Sequence, residues 1–133
     1  MKVSTKRKIN ASVEKTHTGF SAFAIDYPVF TTGKTISELS DNILEALNLY
    51  FEDNGIQLNE KNLNLEIDLK QFFQYYRVIN AKFLAERIGM NPTLLSQYVQ
   101  GRKRPSPAQV EKILDGIHEI GRELSELSLV SKN

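Results

Sequence analysis

The chain contains no cysteine, which excludes a disulfide framework, a thiolate zinc finger, an iron–sulfur cluster and a cysteine nucleophile. Its two histidines, His17 and His118, are too few for a histidine-rich metal site. No apolar run approaches the roughly 18 to 20 residues that cross a bilayer, and the basic start is followed by no apolar signal core. Neither a membrane nor a secreted protein is expected, and the expected location is the cytoplasm. A phosphate-cradling glycine-rich loop, a G-x-S-x-G elbow and an HExxH helix are missing as well. Nothing in the sequence announces an enzyme, and no metal or cofactor is expected.

What is there is 133 residues, 41% hydrophobic and 25% charged, enough for one domain or two small ones. The net charge of +1 conceals an uneven distribution. Lys2, Lys6, Arg7 and Lys8 give residues 1–9 a charge of +4, whereas residues 10–70 hold four basic against ten acidic side chains, or −6. Residues 77–104 carry Arg77, Lys82, Arg87, Arg102, Lys103 and Arg104 against Glu86 alone, or +5, and residues 105–133 return to −2. An acidic half beside a compact basic block points to two different partners.

The periodicity also changes along the chain. Ile9, Ala11 and Val13 alternate with polar residues, 15–19 supply turn chemistry, and Phe20 to Ile25 run apolar, which predicts a β-hairpin. Pro28 interrupts the second strand, and Val29 to Thr32 before Gly33 form a short peripheral third. Thr35 with Glu38 makes a capping box for a helix whose apolar residues run from Ile36 to Phe51, stopped at Asn54-Gly55. Leu63, Leu65, Ile67 and Leu69 then alternate as a strand. From Asp68 onward the period is helical. Asp68 with Gln71, Asn80, Asn91-Pro92 and Ser106-Pro107 open four helices, the first expected to reach about Ile79 and the next two to end at Gly89 and Gly101. The expectation is an α+β chain of two unlike units: β-β-β-α-β over residues 1–69 and an all-α unit over 70–133.

Residues 83–101 carry the strongest signal. Ala85 is small enough for two helices to touch, Gly89 suits a left-handed turn, and Leu84, Ile88, Leu95 and Tyr98 fall on the faces that would close a core. This stretch resembles the Cro/repressor class of helix-turn-helix, including its ending at Gly101-Arg102-Lys103-Arg104. If it docks as that class does, the helix after Asn91 enters the major groove by its N-terminal end, presenting Pro92, Thr93, Ser96 and Gln97. The Gln97 amide suits adenine N6 and N7, and Thr93 a thymine methyl or a hydroxyl contact. By the same resemblance Asn91 and Gln100 would bond phosphates, with Arg102, Lys103 and Arg104 adding backbone contacts. The competing readings are a helical bundle that binds no DNA and a solvated basic loop.

The last helix places Val110, Ile113, Ile117, Ile120, Leu124 and Leu127 at spacings of three and four, a heptad seam. Part must cover the helix-turn-helix core. The remainder suits a second chain, giving a homodimer or higher homo-oligomer on a palindromic operator, with packing on the N-terminal unit as the alternative.

In the N-terminal half, Thr18-Gly19-Phe20-Ser21-Ala22-Phe23, then Asp26-Tyr27-Pro28, then Thr32-Gly33-Lys34-Thr35 ahead of a capped helix resembles HicB-type antitoxins over about residues 8–69. Lys34 stands where that family often has an acid, and Tyr27 and Val29 flank the proline where Leu and Gly are commoner. The resemblance implies a truncated RNase H-like fold and a binding role: masking a small basic HicA-type ribonuclease toxin. Candidate contacts are Asp26, Tyr27 and Phe30 on the loop and strand, with Glu38, Asp41, Glu45, Glu52 and Asp53 on the helix. Many members carry a helix-turn-helix after this unit. The expected role is therefore an antitoxin of a type II toxin–antitoxin system that represses its own operon. Two alternatives stay open: a stand-alone dimeric repressor with an N-terminal sensing unit, and a magnesium-dependent nuclease. The latter needs converging carboxylates, and Asp26, Asp41, Asp53 and Asp68 have no spacing that forces convergence.

Overall fold

The computed structural model describes residues 3–128. The chain is mixed α+β, and it divides into two compact units, Met1–Tyr75 and Tyr76–Asn133.

The first unit begins with a two-residue strand, β1 (Val3–Ser4), followed by β2 (Ile9–Thr16), β3 (Gly19–Ala24) and β4 (Phe30–Gly33). Helix α1 (Ile36–Tyr50) leads through a 3-10 turn at Glu52–Asn54 to β5 (Ile56–Gln57), a second such turn at Glu60–Asn62, then β6 (Leu63–Ile67) and α2 (Leu69–Tyr75). The main sheet has the order β4-β3-β2-β6. β2 and β3 pair antiparallel with Thr16 opposite Gly19, β3 and β4 antiparallel with Phe23 opposite Phe30, and β6 runs parallel to β2. Alternation decides what the sheet buries: Ile9, Ala11 and Val13 of β2 and Ala22 and Ala24 of β3 turn inward. Leu39, Ile43 and Leu47, at helical spacing on α1, lie against that face with no exposure at all. Thr35 caps α1 as expected, its side chain accepting from the Glu38 N–H at 3.0 Å.

Two features depart from the sequence reading. β1 and β5 form a separate parallel pair that no periodicity foretold. Helix α2 ends at Tyr75, not near Ile79, and belongs to the first unit, so the boundary lies after residue 75 rather than 69. The reason is local. Gln71 anchors α2 to β2 through Lys15, whereas beyond it Val78 is 91% exposed and the Ile79 N–H closes a turn onto the Tyr76 carbonyl. Continuing the helix would bury nothing at Val78, and Asn80 restarts it by capping the Phe83 N–H at 3.1 Å.

The second unit contains α3 (Ala81–Ile88), α4 (Pro92–Val99) and α5 (Pro107–Ser125). Leu84, Ala85, Met90, Leu95, Tyr98 and Ile113 are its buried apolar residues. No helix among the described residues is long and apolar enough to cross a membrane.

Candidate functional site

Helices α3 and α4 are joined by Gly89, Met90 and Asn91 alone. Gly89 takes φ +70°, a left-handed conformation that side-chain-bearing residues resist, and a Cβ there would meet nothing within 4 Å. Glycine is therefore required for the backbone turn and not for room. Its N–H bonds the Glu86 carbonyl at 3.3 Å and the Met90 N–H bonds the Ala85 carbonyl at 2.9 Å, the paired closure of a Schellman end. Ala85 is fully buried, as two touching helices need, and Met90 tucks into the same core.

Asn91 then starts α4. Its side-chain oxygen accepts from the Thr93 N–H at 2.8 Å and the Leu94 N–H at 3.3 Å, and Pro92 occupies the first helical position, where no N–H is needed. Buried Leu95 and Tyr98 fix the inward face. Thr93, Ser96, Gln97 and Gln100 are spaced i, i+3, i+4 and i+7 and so share the opposite face. Pro92, Thr93 and Gln100 are exposed and Ser96 and Gln97 half-buried, with the Gln100 amide donating to Ser96 Oγ at 3.2 Å.

α4 ends as α3 does. Gly101 takes φ +74°, its N–H bonds the Tyr98 carbonyl at 3.1 Å, and the Arg102 N–H bonds the Gln97 carbonyl at 2.9 Å. The Lys103 N–H reaches the same carbonyl at 3.3 Å. The backbone beneath the basic run is thus tied to the helix that presents Gln97, and Arg102, Lys103 and Arg104 are all exposed. The structure gathers every expected DNA-contacting residue onto one helix and the turn that closes it. Arg87, also counted in the basic block, faces acids of its own unit. It lies 3.9 Å from Glu119 and pairs with Glu123, so its charge is spent within the unit on α5.

The heptad residues divide. Ile113 is fully buried in the unit's own core, and Val110, Ile117 and Ile120 are half-buried. Leu124 and Leu127 are 61% and 63% exposed, and Leu127 lies beyond the end of α5 at Ser125. Packing on its own unit absorbs the first half of the seam and leaves the second half open.

The candidate toxin contacts are less united. Asp41, Glu45 and Glu52 line one open groove of about 390 Å³ on the outer side of α1, together with Leu44, Asn48, Leu49 and Gln57. Glu38 lies one turn earlier on the same helix and is exposed, as is Asp53 in the 3-10 turn. Asp26 and Tyr27 sit in the turn between β3 and β4, where the Tyr27 ring packs edge-on to Phe51 at 4.9 Å. Phe30 is elsewhere: it pairs with Phe23, and both point to the sheet face that α1 does not cover. Phe23, Ile25 and Phe30 are 45%, 49% and 65% exposed. Phe23 and Ile25 did not stand out in the sequence, although their alternation with the buried Ala22 and Ala24 was the available signal. His17 packs against Tyr75, ring centroids 5.6 Å apart.

No family model and no curated protein matches the chain.

Proposed function

We propose that this chain is a type II antitoxin and autorepressor: the first unit binds and neutralises a HicA-type mRNA-cleaving ribonuclease, and the second binds the operator of its own operon. It acts in the cytoplasm without catalysis or cofactor, as a homodimer or higher homo-oligomer. The observation that carries the reading is the construction of α4. A capped N-terminus, an outward face of Thr93, Ser96, Gln97 and Gln100, and a basic turn tied back to Gln97 are what insertion into a major groove requires. The open half of the α5 seam at Leu124 supports a second copy, since an operator with two half-sites demands two such helices.

For the first unit, support comes from β2, β3, β4, α1 and β6, which follow in the β-β-β-α-β order expected of a HicB-type domain although β1 and β5 are added to it, and from the acidic groove along α1. A basic partner would be steered there by opposite potential, with Leu44 and Leu49 offering apolar contact between the carboxylates. The reading requires a small basic ribonuclease encoded beside this gene, and the test is a cleavage assay with that protein. Adding the full chain should abolish RNA cleavage, and the two proteins should elute together on gel filtration. Undiminished cleavage in an excess of folded chain would overturn the antitoxin half and leave a stand-alone repressor.

A further inference from the structure

The basic N-terminal segment is held in place. Asn62, only 4% exposed, donates through its side-chain amide to the Thr5 and Arg7 carbonyls, each at 2.8 Å, and its oxygen accepts from the Asn59 N–H at 2.8 Å. The Val3 N–H bonds the Gly55 carbonyl at 2.8 Å, and the Lys8 ammonium bonds the Lys61 carbonyl. Residues 3–8 are therefore fastened at both ends of the segment, with Lys6, Arg7 and Lys8 all exposed.

What surrounds them is aromatic. The Arg7 guanidinium lies over the Phe51 ring, 5.5 Å from its centroid, and Tyr27 and Tyr50 stand 4.9 and 5.0 Å from the same ring. Tyr50 is 46% exposed. The Lys8 ammonium reaches the backbone of Lys61, whose exposed side chain adds a fourth cation to the segment. Among the described residues none of these four cations forms an ion pair, although the exposed acids Glu52, Asp53 and Glu60 are close in sequence to Phe51 and Lys61. Cations left unpaired on a preset backbone, next to a guanidinium plane and an open tyrosine ring, match the chemistry of single-stranded nucleic acid: phosphates for the ammonium groups, base faces for the planar ones. A duplex offers the phosphates but keeps its bases stacked.

We propose that Lys6, Arg7, Lys8 and Lys61, with Tyr50, form a binding site for single-stranded nucleic acid on the first unit, separate from the helix-turn-helix. The site does not depend on the antitoxin reading.

The test uses the full chain and a fluorescent 20-nucleotide oligouridylate, read by anisotropy, with a random-sequence DNA duplex of equal length as the comparison. Replacing Lys6, Arg7 and Lys8 together by Gln should weaken oligouridylate binding at least tenfold and flatten its salt dependence by about two units of log K per log salt, as loss of about three phosphate contacts implies. Duplex binding should fall by much less. Glu60→Gln, which removes an acid beside Lys61, should strengthen oligouridylate binding about twofold, a gain that misfolding cannot produce. Unchanged oligouridylate binding by the triple variant, or equal losses on the single strand and the duplex, would overturn the assignment.

Discussion

The side-chain amide of Gln71 bonds both backbone groups of Lys15: its oxygen accepts from the Lys15 N–H at 2.8 Å and its nitrogen donates to the Lys15 carbonyl at 2.7 Å. β6 stops at Ile67 while β2 continues to Thr16, so β2 would otherwise show unpaired groups at its last residues. One carboxamide, with a donor and an acceptor side by side, replaces the next ladder residue and secures α2 to the sheet. Gln71→Leu removes both bonds at a half-buried site and should cost about 1 to 3 kcal/mol in urea unfolding. A loss below a few tenths would show that water substitutes freely for the amide.

Two glycines of α5 should respond oppositely to alanine. A Cβ on Gly116 would lie 2.3 Å from Ile88 Cγ2, where α3 and α5 approach, whereas on Gly121 it would meet nothing within 4 Å. Gly121→Ala should therefore stabilise by up to about 1 kcal/mol through helix propensity. Gly116→Ala should destabilise by about 1 to 3 kcal/mol through overpacking. Adding Ile88→Ala, which deletes the clashing methyl, should give a double variant less destabilised than the sum of the singles. Additive losses would mean that the close approach is not where the strain falls.

Gln97 and Arg102 should separate specificity from affinity. Gln97→Ala should lose about 1 to 3 kcal/mol on the preferred operator and little on random DNA. Arg102→Ala should weaken both alike and reduce the salt slope by about one. The readout is titration of each variant against operator and random duplex across a salt series. Equal losses on both for Gln97→Ala would contradict the docking of α4.

In the acidic groove, Asp41→Lys with Glu45→Lys should slow capture of the proposed ribonuclease partner about tenfold at low salt, measured by stopped flow, with the difference shrinking as salt rises. A salt-independent difference would place those residues in a packed contact instead of a steering field.

The elements long enough to show a period were legible in the sequence: the hairpin from alternation at Ile9, Ala11 and Val13, α1 from its capping box and apolar spacing, and α3 and α4 from Asn80, Gly89, Asn91 and Gly101. Strands β1 and β5, of two residues each, have no period to read. Asn62 looks like any loop asparagine until the Thr5 and Arg7 carbonyls arrive from more than fifty positions away. The end of α2 was missed because Val78 and Ile79 continue an apolar pattern, and only the missing partner for Val78 stops it. Likewise the +5 block counted Arg87, which tertiary packing pairs with Glu119 and Glu123. Of the candidate site, the grouping of the proposed DNA contacts was readable because they lie on one helix and the turn after it. The separation of Phe30 from the α1 acids was not, since a strand's alternation does not say which side the helix will cover.

In the proposed function, α4 reads DNA in the control region of the chain's own gene. Nuclease footprinting of that region with the full chain at physiological salt tests it most directly. Two related half-sites with centres one turn of DNA, or ~34 Å, apart should be protected. That protection should fade with Gln97→Ala and with Leu124→Glu, the latter because it breaks the pairing of two copies. Uniform protection that vanishes with modest added salt and ignores Gln97 would contradict it, leaving only nonspecific attraction to the basic turn at Arg102 to Arg104.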